Sequence, residues 1–497
     1  MSPTGSARRA PAGPPPASVG AVVGLLVLFE MTSGFLQGGI APLLPDIGAQ
    51  LGVADADLSW VVAAQLLAAA VSVPAFGRLG DVHGHRRMLR VSLVCVAAGS
   101  LLVAFAPSLP VLLAGRVLQG PLAALLPLEI ALVRDRLSVE RARGAIARLV
   151  GALALGTLLG GVVMGLAHRA TGDVRITLLI PALLAVVCVP VSFLAIPEST
   201  RTPDGRLDWP GVGLLSLAMV LLLTAISAAK SGSPLSGTVL VPVLLALLVG
   251  AGWAVRELRV AEPLVDLRAL ADRSVAPYFL CAAAFGVVYF GSLAPDATFL
   301  AADPERTGYG FGLPALTISL IALPAGVAAV AGSSLTARIA GRLGYRPTLI
   351  ASFTLIGAGF LSIAAFHAQI WQLVAAKGVA GVGMGVALGA LPTVIAEAGA
   401  PSRTGITTAL YNNVKTLGGA VAGAVIAVIL AVPGTETGAS VPDTQEAAGE
   451  SGYVAVWLLC ALLSLGAAAA AASARRTEAD RPEPTARPES RLGILRR

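Results

Sequence analysis

Long apolar runs separated by short polar stretches dominate this chain from end to end. Fourteen of them stand out, at residues 19–43, 59–77, 88–106, 110–133, 145–167, 174–196, 209–229 and 237–256, then 275–299, 313–333, 348–366, 370–395, 405–431 and 453–473. Each holds roughly 19 to 27 residues, enough at ~1.5 Å of helical rise per residue to cross a hydrocarbon layer of about 30 Å. The pattern predicts an all-α integral membrane protein with fourteen transmembrane helices. The first run is too long for a cleavable leader and is interrupted by Glu30, so it is expected to persist as helix one.

Composition agrees with the pattern: 56% of the 497 residues are hydrophobic and only 13% charged, more apolar surface than a water-soluble chain could hide. Lys and Arg are retained on the cytoplasmic side of a membrane, and this sets the orientation. If odd-numbered helices run outward, only Arg169, Arg175, Lys230 and Arg306 fall in outer loops, while Arg116, Lys377 and Lys415 lie within runs. Both termini are then cytoplasmic. The net charge of +7 comes from the inner loops and the arginine-rich tail, so it gives no support to a nucleic-acid partner. The four cysteines fall in four different apolar runs, without metal-site or disulfide spacing.

The chain also resembles itself. LLAGRVLQGPLAALLP from Leu112 aligns with LVAAKGVAGVGMGVAL from Leu373, placing Arg116 against Lys377 and Gly120 against Gly381. A second pairing sets GHRRML, from Gly84, against GYRPTL, from Gly344. Two copies of a six-helix unit are expected, with the runs at 209–229 and 237–256 between them, and a substrate site at the interface of the repeats.

Between the second and third runs lies GRLGDVHGHRRML, Gly77 to Leu89, read as a compact charged turn. It resembles the signature of the major facilitator superfamily between helices two and three. Gly77, Leu79, Asp81, Gly84, Arg86 and Arg87 match, while Val82 and His85 depart from it. Arg116, Gln119 and Gly120 resemble the helix-four signature that the family associates with proton coupling. Gly156, Gly160 and Gly161 resemble its helix-five antiporter motif, with Thr157 where proline is expected. ALYNNVKTLGGAVAG in the thirteenth run is similar to a segment of the fourteen-helix drug:proton antiporters. The resemblance implies a major facilitator fold of two pseudo-symmetric six-helix bundles plus two inserted helices. It implies the export of drugs, antibiotics or natural products across a bacterial cytoplasmic membrane, driven by protons with no other cofactor.

The residues can also be read without the family. Glu30, eleven residues into its run and so roughly 16 Å deep, is a functional candidate because a carboxylate at that depth is costly unless it meets water or a partner. It is expected to alternate between protonated and ionised forms. Ser33 and Gln37 follow at helical spacing and extend a polar stripe suited to lining a cavity. Arg116 must be paired or hydrated and can bias a nearby carboxylate. Glu129 lies some 140° around the helix from Arg116 at ~100° per residue, so the two share a face only if Pro127 bends it. It could be a second protonation site or the partner of Arg134. Thr408, Asn412, Lys415 and Gly419 form a stripe suited to a cavity face, with Lys377, Gln119, Ser33 and Gln37 as further cavity candidates. Asp296 reads as interfacial. Asp81, in the turn, is expected to latch one conformation of the two bundles by binding a basic residue or capping a helix.

These readings give a cytoplasmic tail at 1–18, a bundle at 19–200, an insert at 201–270, a second bundle at 271–474 and a tail at 475–497. The chain is expected to act as a monomer in the lipid bilayer on a small amphipathic substrate. Two other readings stay open: an uptake symporter, or a lipid-handling protein or non-transporting sensor on the same scaffold. No phosphate-binding loop, metalloprotease site or nucleophile elbow is present, so no enzymatic activity is expected.

Overall fold

The computed structural model describes residues 19–134, 137, 139–195, 208–229, 237–260, 263, 265, 267–270, 274–398, 404–431 and 448–474. The expected tails and the boundary at 200–201 lie outside these residues. Among those described every regular element is helical. In the first half they are α1 (Val19–Ile40), a 3-10 turn (Ala41–Leu43), α2 (Leu44–Leu51), α3 (Asp55–His83), α4 (His85–Ala104), α5 (Leu109–Leu118), a 3-10 segment (Gly120–Ala124), α6 (Leu125–Arg134), α7 (Val139–Thr171) and α8 (Val174–Ala195). The middle of the chain forms α9 (Trp209–Ala229), α10 (Gly237–Glu257) and α11 (Leu267–Leu270). The second half follows as α12 (Ala276–Gly291), α13 (Leu293–Ala301), α14 (Pro304–Thr307), α15 (Ala315–Leu343), α16 (Tyr345–Ala365), α17 (Ile370–Ala398), α18 (Thr404–Leu430) and α19 (Glu450–Ser473).

Thirteen stretches among the described residues are long and apolar enough to span a membrane. The fourteenth expected run, 209–229, is helical as α9 over Trp209–Ala229, and Trp209–Leu222 is its apolar stretch with described side chains. Large side chains face outward along these helices: Leu247 and Leu248 of α10 are 65% and 69% exposed. Water would penalise that surface and lipid accepts it, as expected of a multi-pass membrane protein.

The helix pairs of the first half recur in the second. α1 packs on α7 as α12 packs on α18, α3 on the α5–α6 segments as α15 on α17, and α4 on α8 as α16 on α19. Glycine sets the closeness of these pairs. A Cβ on Gly120 would strike Ala68 of α3, and one on its aligned partner Gly381 would strike Ala325 of α15. The opening helix of each half breaks near one end, at Pro42 between α1 and α2 and at Ser292, just before Pro295, between α12 and α13. A proline lacks the N–H that would continue the ladder. Each half also ties its third helix to the end of its sixth. Arg90 donates to the carbonyls of Ser192 and Phe193, and Arg346 to those of Ala471 and Ala472, where a cation answers orphan carbonyls and the helix dipole.

The two halves meet at the end of the bundle that carries Asp55, Ala315 and Leu430. There Gly423 of α18 packs against Ala63 and Ser59 of α3, and Gly165 of α7 against Leu316 of α15. Ser319 Oγ donates to Gly161 O at 2.7 Å, and Tyr453 OH to Asp55 Oδ2 at 2.9 Å.

Candidate functional site

Helix four of the sequence reading is three pieces, and the division decides where its polar residues point. Its break comes at the 3-10 segment Gly120–Ala124, where Pro121 lacks an N–H, and not at Pro127, which sits harmlessly in the first turn of α6. Beyond the break, Glu129 turns into the first half and meets Glu30 of α1. The two are 0% and 1% exposed, and their carboxyls interact with each other. None of the four carboxyl oxygens has a hydrogen-bond partner among the described residues. Cys188 of α8 is the next neighbour, its Sγ 3.5 Å from Thr32 Oγ1. Two adjoining buried carboxyls repel one another when both are charged, so this pair is the opposite of a salt bridge. Of the two readings open for Glu129, the structure gives it an acid for a neighbour and not Arg134.

The polar stripe of α1 turns inward. Ser33 is buried, and Gln37, half-buried, donates through Nε2 to Ser33 O at 3.3 Å and Ser33 Oγ at 3.2 Å.

Arg116 is set apart from the acids. Its Nε donates to Val61 O at 2.7 Å and its Nη1 to Gln119 Oε1 at 2.7 Å, while Gln119 Nε2 donates to Ser100 Oγ at 2.8 Å. The chain of donors ties α5 to α3 and α4 beside a small crevice lined also by Phe35, Leu36 and Met164. Among the described residues Arg116 makes no ion pair, so the carboxylate it was expected to bias is not beside it.

The helix-five glycines divide between two tasks. Gly156 and Gly160 press backbone to backbone on α1, at Met31 and Phe35, matched from the other side by Gly34 and Gly38. Gly161 instead offers its carbonyl to Ser319 of the second half. Thr157 donates back to Leu153 O at 2.9 Å, and α7 runs on through it.

GRLGDVHGHRRML is mostly helix. α3 continues through Gly77, Gly80 and Asp81 to His83, and a single residue, Gly84 at φ +94°, separates it from α4. Gly344, its counterpart, does the same at φ +84° between α15 and α16. Only glycine takes this backbone readily. The Asp81 carboxylate, half exposed, meets His85 Nε2 at 3.3 Å within its own motif. Arg86 is half-buried and Arg87 exposed in the first turn of α4. The contacts between halves described above lie at the opposite end, so Asp81 is not latched across them in this conformation.

In the second half, Lys377 forms an ion pair with Asp296 and lies 4.4 Å over the Phe360 ring centroid. Trp457 Nε1 donates to the other oxygen of Asp296 at 3.2 Å. Asp296 is therefore held by two partners on other helices, and Lys377 is engaged with it. Lys415, partly exposed, stands 5.5 Å from the Tyr411 ring centroid, and Asn412 shares its half-buried setting. Thr408 lies on α18 but outside the residues whose side chains are described. One pair escaped the sequence reading altogether. Asp208, ahead of α9, takes a two-pronged hydrogen bond from Arg256 of α10, with Nη2 2.6 Å and Nε 2.9 Å away. These bonds hold the Asp208 carboxyl below its ordinary range.

A family model described as Major Facilitator Superfamily matches residues 26–423 and 278–497. A probable actinorhodin transporter of Streptomyces coelicolor is 28% identical over 456 residues, 87% of this chain and 76% of that one. The puromycin resistance protein pur8 of Streptomyces alboniger is 28% identical over 424 residues, 81% of each chain. Among solved structures, a crystal structure of the nucleoside transporter NupG superposes with a TM-score of 0.63 at 15% identity, covering 92% of this chain and 100% of that one. This last likeness is one of fold alone.

Proposed function

The chain belongs to the Major Facilitator Superfamily, as a transporter and not an enzyme, and from that premise we propose that it exports small amphipathic compounds in exchange for protons by alternating access. Relatives named for an antibiotic's transport and for resistance to another favour export over uptake. One observation supports proton coupling above the rest: Glu30 and Glu129 are buried against each other with no base beside them among the described residues. On this reading the pair gains and loses a proton as the bundles at 19–200 and 271–474 rock, with 201–270 as an insert and a monomer as the working unit. Both termini face the cytoplasm. The joined end of the halves is then the outer one, and Asp81 engages when the inner end closes.

Cells expressing the chain are loaded with ethidium, fluorescein and puromycin, and retention is followed with and without a protonophore. Export lowers retention of at least one compound, and collapse of the gradient restores it. Unchanged retention of all three, or a decrease that survives the protonophore, contradicts the proposal.

A further inference from the structure

One face of α18 looks at the first half of the molecule. Gly419 packs on Leu66 of α3, and Gly423 on Ala63 and Ser59. Lys415, one turn earlier on the same face, is the first residue beyond this closure. It is partly exposed and makes no ion pair among the described residues. Two other deep sites of charge are already answered: Asp296 by Lys377 and Trp457, and Arg116 by Val61 O and Gln119.

One aromatic ring lies against the ammonium, and others stand on the neighbouring helix. Tyr411, whose ring it overlies, is 6% exposed and its hydroxyl has no hydrogen-bond partner among the described residues. α12 is pinned beside it, because Gly286 packs directly on the Lys415 carbonyl. On that helix Tyr289 stacks on Phe285 with centroids 5.4 Å apart and meets Phe290 edge-on at 5.0 Å.

We propose that Lys415, with Tyr411 and Tyr289, forms an anion subsite in the cleft between the halves that selects planar aromatic compounds bearing a carboxylate or phenolate. The inference rests on the export reading for its cleft and gives that reading a substrate class. An ammonium withdrawn from bulk water without a counter-ion is costly, and a bound carboxylate offsets that cost where an amide cannot. The rings supply flat apolar contact for the rest of the ligand. A cationic ligand meets like charge.

The test uses full-length protein in detergent and equilibrium dialysis with anthraquinone-2-carboxylate, its neutral carboxamide and ethidium. Wild type is expected to bind the carboxylate about tenfold more tightly than the carboxamide, the scale of one partly solvated charge pair. Lys415→Arg keeps the preference. Lys415→Gln abolishes it and leaves carboxamide affinity unchanged, which also shows that the variant is folded. Equal wild-type affinity for carboxylate and carboxamide, or a preference that survives in Lys415→Gln, overturns the subsite. Protonophore-sensitive export is scored separately. A Lys415-dependent preference without such export upholds the subsite and sinks the export reading, whereas export without the preference does the reverse.

Discussion

The closed end of the molecule can be opened by one methyl group. A Cβ added at Gly165 of α7 would sit 2.7 Å from Leu316 Cα and 3.0 Å from Ser319 Oγ, both on the opposite half. Packed carbons rest at about 3.5–4.0 Å, so α7 and α15 must part by roughly 1 Å. The nearest atom is backbone and cannot turn aside. Overpacking of this kind costs about 1–3 kcal/mol, and here it falls only on the conformation in which the halves touch. That cost corresponds to a shift of about 5–150-fold toward the state open at this end. Gly161→Ala is the control: its Cβ would have 3.7 Å of clearance to Gly38 O. Spin labels at Arg169 and Arg306, both exposed at this end, report the separation by pulsed electron resonance in a background lacking Cys95, the half-buried thiol. Gly165→Ala is expected to populate longer distances and Gly161→Ala to leave them unchanged. An identical distribution in a folded Gly165→Ala protein refutes the reasoning.

Lys377→Met leaves Asp296 with Trp457 alone and should lower thermal stability by about 2 kcal/mol, less than for a fully buried pair because the partners keep 20% and 24% exposure. Lys377→Met with Asp296→Asn should recover part of the loss, and a double variant as weak as the single one would count against the pairing. Asp208→Asn should lower stability at neutral pH. The Asp208 carboxyl is held low by Arg256, so its contribution is fully present above the ordinary carboxylate value of about 3.9 and disappears as pH falls through the lowered value. Wild type and variant should therefore converge in acid, and a gap that widens there would reverse the assignment. Gly84→Ala, forced to φ +94°, should cost about 1–3 kcal/mol in melting experiments, whereas Gly77→Ala, helical and with open space around it, should cost nothing.

Spans and superfamily were legible because lipid imposes a length and a hydropathy on every crossing helix, and because GRLGDVHGHRRML carries its pattern locally. Gly84 and Gly344 were legible as a pair for the same reason: each marks one left-handed backbone position between two helices. Side-chain partners were not. Glu30 and Glu129 lie on helices far apart in sequence, and their meeting depends on the 3-10 break at Gly120–Ala124, whereas the sequence offered only a conditional bend at Pro127. Glu129 was projected along a straight helix that does not exist. Arg116 looked like a modulator of an acid because a buried guanidinium needs a partner, yet a backbone carbonyl and an amide satisfy it. Asp296 and Lys377 could have been matched. Both sit near the same end of neighbouring helices of one half, with opposite charge. Ser33 and Gln37 follow helical spacing as expected, but spacing alone does not say which face meets a cavity and which meets α7.

The central claim is that Glu30 and Glu129 couple transport to the proton gradient. Purified protein is reconstituted into vesicles, and the best-exported compound of the retention panel is followed both under an imposed pH gradient and in exchange without one. The account predicts that Glu30→Gln and Glu129→Gln still exchange the compound but no longer concentrate it under the gradient. Undiminished gradient-driven accumulation in both variants would contradict it.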